Sequence, residues 1–337
     1  MRGNMSAHSS FASRAVRAFG RGMELLAGSA GCFFTFHRVA PSDVWSLMPN
    51  RNFYLDLDFL DSLLGYLTDT GWKIVTVEEG LSLARDAGSD IRFVNFSVDD
   101  CYRDTYTEVV PLFRSHSVPV TLFVSTGIPD ATMSLWGAGL EQIVRERDLV
   151  MLDGQQFATR TIDEKIAAFQ NIQRLWDGPE AGAHYSRFCR DNGYDEAAIY
   201  EQHAITWEML TELAADPLVE IGSHTVSHPR ISALSSESAF VELRESQKRL
   251  QEKLGLRVNN FAFPYGRKAD CGPRDFELAR KAGYSSVATT RKGVVRHGSD
   301  VYQVPRNTLN GALRSALAVE LHLAGVSGVA ARVLGRH

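Results

Sequence analysis

Apolar and polar positions along this chain follow two periods, and the switches between them mark its elements. Gly31-Cys32-Phe33-Phe34-Thr35-Phe36 is a short apolar, aromatic run followed by His37, and it reads as a buried strand. Residues 57–67 have helical spacing behind Asp56, a suitable N-cap. Residues 72–77 return to strand character. Residues 78–87 are helical, with Thr76 and Glu79 spaced as in a capping box. Residues 91–98 form the next predicted strand, 107–116 a helix despite Pro111, and 119–124 another strand. Such alternation predicts parallel strands joined by crossover helices.

The order breaks after Gly127. Residues 127–205 are mixed and polar, with helical pieces such as 163–176 and no apolar strand signal. They read as an insertion over one end of a barrel, a lid or substrate wall. Beyond them, 207–215 is helical, 219–223 a strand, 237–254 strongly helical and 258–263 a strand. Residues 276–282 are helical, and 285–289 and 302–305 are strands. At the N-terminus, Phe11, Ala15, Ala18, Phe19, Met23 and Leu26 share one helical face beside Arg14, Arg17 and Arg21. Residues 313–334 are small and apolar. Each end reads as a helix docked on the body or as an interfacial anchor. The expected organisation is an amphipathic segment over 1–30, a barrel over 31–310 carrying the 127–205 insertion, and a C-terminal helix over 311–337.

Composition narrows the class. The 337 residues are 44% hydrophobic and 23% charged, enough for a well-buried core. A net charge of -4 and a pI of about 6.2 give no basic field for a nucleic-acid partner. The four cysteines, Cys32, Cys101, Cys189 and Cys271, are scattered and form no C-x-x-C pair, so reduced thiols are expected. No apolar run approaches the ~18 residues of a membrane span, and arginines interrupt any secretory signal. The expected location is the cytoplasm, with peripheral association at the inner membrane surface. The oligomeric state is not legible in the sequence.

Two strings carry chemistry: Ser97-Val98-Asp99-Asp100-Cys101-Tyr102, and His224-Thr225-Val226-Ser227-His228. One carboxylate with two imidazoles is a donor set for a catalytic divalent cation with open positions, and the second carboxylate is a ready general base. The mixed nitrogen and oxygen donors suit Zn²⁺, and also Co²⁺, Ni²⁺, Mn²⁺ or Fe²⁺. Alone, each string has an ordinary reading: turn histidines are common, and Asp is favoured at helix starts. Together they are specific. His37, Asp99 and Asp100, His224 and His228, Pro264-Tyr265 and Arg306 all follow predicted strand ends, which in a parallel barrel converge on one face.

These strings resemble the motifs of the polysaccharide deacetylase family, the NodB homology domain of carbohydrate esterase family four. Ser97-Val98-Asp99-Asp100-Cys101 is similar to the Thr-Phe-Asp-Asp-Gly motif, and His224-Thr225-Val226-Ser227-His228 matches His-Ser/Thr-x-x-His in full. Phe261-Ala262-Phe263-Pro264-Tyr265-Gly266 matches the third motif in part, and Phe33 to Val39 resembles the opening strand of many bacterial members.

The resemblance implies a distorted (β/α)7-type barrel with a helical insertion. It implies Asp100, His224 and His228 as metal ligands and Asp99 as the base that activates water against the amide of an N-acylated amino sugar. The backbone N–H of Cys101 or Tyr102 would stabilise the oxyanion. Tyr265, Pro264 and Trp136 would line the sugar site, although Trp136 could equally be core. His37 stands where members with rearranged motifs place the general acid.

Three departures are visible, the first being that the late Leu-x-His motif, which carries the acid in many members, is not evident. Cys101 replaces the usual Gly and reads as a gap-filling thiol. Ala262 replaces the usual Arg, for which Arg306 is either the candidate substitute that orients Asp99 or an ordinary surface arginine. The expected activity is removal of an acetyl or formyl group from an amino sugar in a polysaccharide, glycolipid or lipid-linked precursor. The alternatives are an amidohydrolase acting on a non-sugar linear or cyclic amide, and a non-catalytic carbohydrate-binding relative.

Overall fold

A computed structural model of the chain describes residues 31–86, 88–176, 180–313 and 315–328. The amphipathic segment expected over 1–30 lies outside the described residues, as does the end of the C-terminal stretch. In order, the elements begin with β1 (Gly31–Phe36), β2 (Arg38–Ala40), β3 (Tyr54–Asp56), α1 (Leu57–Asp69), β4 (Lys73–Val75), α2 (Val77–Arg85) and β5 (Phe93–Asp100). Then come α3 (Val110–Ser115), β6 (Val120–Val124), α4 (Trp136–Glu146), β7 (Leu149–Leu152), β8 (Gln155–Ala158), α5 (Ile162–Leu175), α6 (Ala181–Asn192) and α7 (Glu196–His203). The last are α8 (Trp207–Ala214), β9 (Val219–Ser223), α9 (Ser236–Leu254), β10 (Asn260–Ala262), α10 (Pro273–Ala282), β11 (Ser286–Ala288), β12 (Asn307–Thr308) and α11 (Ala316–Leu323).

Local chemistry sets the helix starts. Asp56 accepts the N–H of Phe59 at 2.9 Å, and Thr76 that of Glu79 at 3.1 Å, each closing a first turn. Pro111 cannot donate to a helical ladder, and the chain enters α3 through a wide turn over Thr105–Val109.

The main sheet has eight strands, all paired in parallel, in the order β11-β10-β9-β6-β5-β1-β12, with β4 on the first half of β5. It curls into the half-barrel of a distorted (β/α)7 fold. The expected strand over 302–305 is not formed. Val304 bridges Ala288, Pro305 interrupts the ladder because it has no N–H, and pairing resumes at Asn307 and Thr308 against Phe34 and Thr35. Arg306 therefore precedes a strand instead of following one. It sits where the chain crosses from β11 to β1.

Side chains alternate between the two faces of each strand. On β5, Val94, Phe96 and Val98 join the apolar cluster under the outer helices. Phe93 packs with Phe33, Phe123 and Ala288 in a second cluster. Asn95, Ser97 and Asp99 continue the Phe93 side as a buried polar column.

The stretch from β6 to α8 also departs from expectation. Besides α4 to α7 it contains an antiparallel hairpin, β7–β8, turned at Asp153-Gly154 with both residues at positive φ. Leu140, Ile143, Val150, Phe169, Ile172 and Phe188 give it an apolar cluster of its own. Near the C-terminus, Val319 and Leu323 of α11 are buried, and Glu320 accepts the Tyr66 hydroxyl, so the described part of this stretch is docked on the barrel. No helix among the described residues is long and apolar enough to cross a membrane.

Candidate active site

Eight non-glycine residues among those described have a left-handed φ, and five of them ring one end of the barrel: Asp100, Cys101, Thr225, His228 and Tyr265. Each such residue stores about 1–3 kcal/mol of strain, which persists where surroundings over-determine the backbone and clusters at functional sites. The two adjacent carboxylates illustrate its use. Asp99 keeps the strand alternation and points inward. Asp100 has φ 68° and turns out of that alternation.

Asp100 meets both imidazoles. Its Oδ1 lies 3.1 Å from His228 Nε2 and 3.6 Å from His224 Nε2. The three donor atoms fall within 4.8 Å of one another. Asp100 Oδ1 is buried and has no hydrogen-bond donor, so its proximity to His228 is not a well-formed hydrogen bond. His224 Nδ1–H donates to the Ala262 carbonyl at 2.7 Å, which turns the Nε2 lone pair toward Asp100. Metal-ligating histidines carry this kind of outer hydrogen bond. An orphaned carboxylate oxygen and a fixed neutral tautomer fit a divalent cation.

The charges agree. Burial holds His224 down to about 4, so it is neutral. Burial would also lower His228, but Asp100 beside it raises it. Burial pushes Asp100 up, yet His228 and the other imidazoles hold it well below the usual carboxylate range.

Asp99 is held by Arg306. Arg306 is 0% exposed and donates from Nη1 to Oδ1 at 2.6 Å and from Nη2 to Oδ2 at 2.8 Å. The same guanidinium reaches Ser97 Oγ, Thr35 Oγ1 and the Thr289 carbonyl. Burial works against an ionised Asp99; Arg306 overcomes it and keeps the pKa low. Arg306 thus stands where the sequence placed it relative to Asp99, although it arrives from the β11–β12 crossover.

A cavity of about 320 Å³ opens in front of the cluster, lined in part by His37, Asp100, Tyr102, Trp136, His228 and Tyr265. His37 packs on Phe53, ring centroids 4.8 Å apart. Tyr265 is 49% exposed, and its ring lies 5.1 Å from that of His228. Trp136 lines the cavity and also packs edge-on against Trp176.

Two expected contacts are not formed. Pro264 is buried below Tyr265 and does not line the cavity; its carbonyl accepts the Gly266 N–H at 2.7 Å in the turn that raises Tyr265. The Cys101 N–H donates to the Asp99 carbonyl at 2.8 Å, the closure that a left-handed Asp100 enforces, so it is not available to an oxyanion. The Cys101 thiol is buried against the Phe123 carbonyl, and burial pushes its pKa well up, as expected of a gap-filling thiol.

The structure adds residues the sequence reading did not single out. Arg38, Tyr54 and Glu141 form a buried polar wall of the cavity. Arg38 stands beside His37 in the opening-strand motif, which was a usable signal. Glu242 grips the His224–His228 loop, and as an ordinary-looking helix glutamate it carried none.

The fold is that of a carbohydrate-modifying hydrolase family. Residues 87–287, more than half of the chain, match the polysaccharide deacetylase family, and the chain belongs to it. The curated Bacillus subtilis (strain 168) protein YxkH is 25% identical over 109 residues, which span 32% of this chain and 38% of that protein. Among solved structures, IcaB from Ammonifex degensii is similar with a TM-score of 0.57 at 20% identity, covering 88% of this chain and 98% of that one. The Streptococcus pyogenes deacetylase PplD, solved in complex with acetate, also gives a TM-score of 0.57 at 15% identity, covering 88% and 97%. At these identities the two structures bear on the fold alone.

Proposed function

We propose that this protein is a divalent-metal N-deacylase that removes an acetyl or formyl group from an amino sugar. The observation that carries the reading is the convergence of Asp100, His224 and His228 beside an Asp99 that Arg306 clamps at both oxygens. The reaction adds water to the acyl carbon, breaks the C–N bond, and releases a carboxylic acid and the free amine.

Asp100 Oδ1, His224 Nε2 and His228 Nε2 would hold the cation, with Zn²⁺ suited to two neutral imidazoles and one carboxylate. A bound divalent cation supplies Lewis-acid polarisation and lowers the pKa of water. Asp99 is the base. Arg306 keeps it ionised and fixes its plane, and its remaining lone pairs accept the proton of the attacking water. His37, on the cavity wall, donates the proton that the departing nitrogen needs. With the Cys101 N–H engaged, the Tyr102 N–H is the backbone donor assigned to the developing oxyanion. Trp136, Phe53 and Tyr265 line the cavity and would supply the aromatic surface on which the apolar face of a sugar packs.

The test joins metal analysis with amine release from N-acetylated and N-formylated amino sugars. Purified protein should carry one divalent ion and release amine. Asp99→Asn should keep the ion and lose activity by orders of magnitude. An Asp99→Asn protein as active as the parent, or a protein that binds no divalent cation, overturns the reading.

A further inference from the structure

Arg38, Tyr54, Ala138 and Glu141 line the substrate cavity, and the same four residues line a second cavity of about 200 Å³. They are a partition with space on both sides. The partition is pinned across two distant parts of the chain. Glu141 of α4 accepts the Asn50 N–H at 3.0 Å and the Tyr54 hydroxyl at 2.6 Å. Arg38 donates to the Tyr54 oxygen at 2.8 Å and to Asp104 Oδ1 at 3.3 Å, and Asp104 also accepts the Val39 N–H at 3.0 Å. Arg38 further donates to His203 Nδ1 at 3.3 Å.

Arg38 and Glu141 are only 6% and 3% exposed. Opening the wall would break the bonds that the Tyr54 hydroxyl makes to both, leaving the buried Glu141 carboxylate with the Asn50 N–H alone, which is unfavourable. A glycan running through the cavity needs an exit on both sides of the sugar being deacylated. On the Arg38–Tyr54–Glu141 side that exit is a hydrogen-bonded wall. The cavity's 320 Å³ also falls at the lower end of the roughly 300–1,000 Å³ common for small-ligand sites, which suits one sugar ring and its acyl arm.

Resting on the deacylase reading, we propose that the site receives an amino-sugar unit carrying a single glycosidic link, end-on, and not an interior unit of a polymer. The unit is either the terminus of a chain or a single sugar on a carrier. Glu141 contributes recognition as well as closure. Each of its oxygens accepts one protein hydrogen bond, and a carboxylate has about four acceptor sites, so hydroxyls of the terminal unit can be bound there.

The test uses the zinc-loaded full chain with two kinds of probe. One is the fully N-acetylated pentamer of glucosamine; the other is the pair of methyl glycosides of N-acetylglucosamine and N-acetylgalactosamine. Mass spectrometric sequencing locates the freed amine. One free amine at one end of the pentamer, or faster release from a methyl glycoside than from the pentamer, supports the proposal; the faster probe separates chain end from single-sugar headgroup.

Glu141→Ala should raise the ratio of interior to terminal release at least tenfold, whereas Glu141→Gln, of the same shape, should keep the end preference. Interior or repeated release along the pentamer by the unaltered protein overturns the inference while leaving the deacylase reading intact. No amine from any probe or from its N-formyl counterpart, with zinc bound, overturns the deacylase reading itself.

Discussion

Glu242 Oε1 accepts the Ser227 hydroxyl at 2.6 Å, and its Oε2 takes the backbone N–H groups of Ser227 at 3.0 Å and Val226 at 2.9 Å. Three bonds from one carboxylate on α9 thus fasten the loop between the two imidazoles. Thr225 and His228 are both left-handed in that loop, and the His228 N–H is returned to Thr225 Oγ1 at 3.1 Å. The strain is held locally by neighbours that do not touch the proposed cation.

Removing this grip should loosen the ligands before it unfolds the barrel. Outer partners of metal ligands are worth about 10–100-fold in metal affinity. Glu242→Ala is expected to weaken zinc binding by about that factor, read by competition titration, with Glu242→Gln recovering part of it. Unchanged zinc affinity in Glu242→Ala would remove the positioning role.

The clamp on Asp99 makes a different prediction. Arg306 is wholly buried, so Arg306→Met leaves a carboxylate in the barrel with no counter-charge. Breaking a buried pair on one side costs about 3–5 kcal/mol, whereas removing both charges costs far less. Urea unfolding should show the single variant strongly destabilised and Asp99→Asn/Arg306→Met recovering most of the loss. An additive double variant would mean the pair is not coupled.

Metal binding should register as stability. A ligand that binds only the folded chain adds about 2.7 kcal/mol at a concentration of 100 Kd. Zinc should therefore raise the unfolding temperature of the chelated protein by several degrees. His224→Ala should respond to zinc with no comparable shift, because its Nε2 is one of three converging donors.

Acid should act through two histidines outside the catalytic cluster. Burial lowers His322 to about 4, and its Nδ1 has no hydrogen-bond partner. Burial, aided by Arg38, lowers His203 to about 3. Both are neutral in the fold. An unfolded chain binds protons at these rings below about 6.5, so more protons are bound unfolded than folded between that pH and the lowered values. Stability contributed by neutral burial is therefore intact above about 6.5 and falls as the pH drops toward 4. For His322 the loss is on the order of 3 kcal/mol at most. His322→Phe should flatten this acid limb in denaturation measured from pH 7 to 4.5; an unchanged slope would count against it.

How the sequence presented these features depended on whether the signal was local. The β5 run and its terminal Asp pair, and the caps at Asp56 and Thr76, were legible because neighbouring residues determine them. The β7–β8 hairpin was missed although Asp153-Gly154 is a strong hairpin turn, because its flanking strands are partly exposed and polar. The strand near Tyr302 was misplaced because Val304 looks like a strand residue, while Pro305 forces pairing to resume beyond it. Pro264 was expected in the cavity on motif position alone, and the turn buries it. Glu141 could not be read at all: its partners, Asn50 and Tyr54, lie about ninety positions away and are joined only in the folded barrel.

The guanidinium of Arg306 touches groups from β1, β5 and the end of β11, and it belongs to nearly the last barrel segment to leave the ribosome. A nascent chain that has emerged only through β11 already carries both carboxylates and both imidazoles, yet lacks the guanidinium that clamps Asp99 at both oxygens. On the proposed mechanism, competence awaits the arrival of a single late side chain, and a chain cut short before it is expected to be silent although every other proposed participant in the chemistry is present.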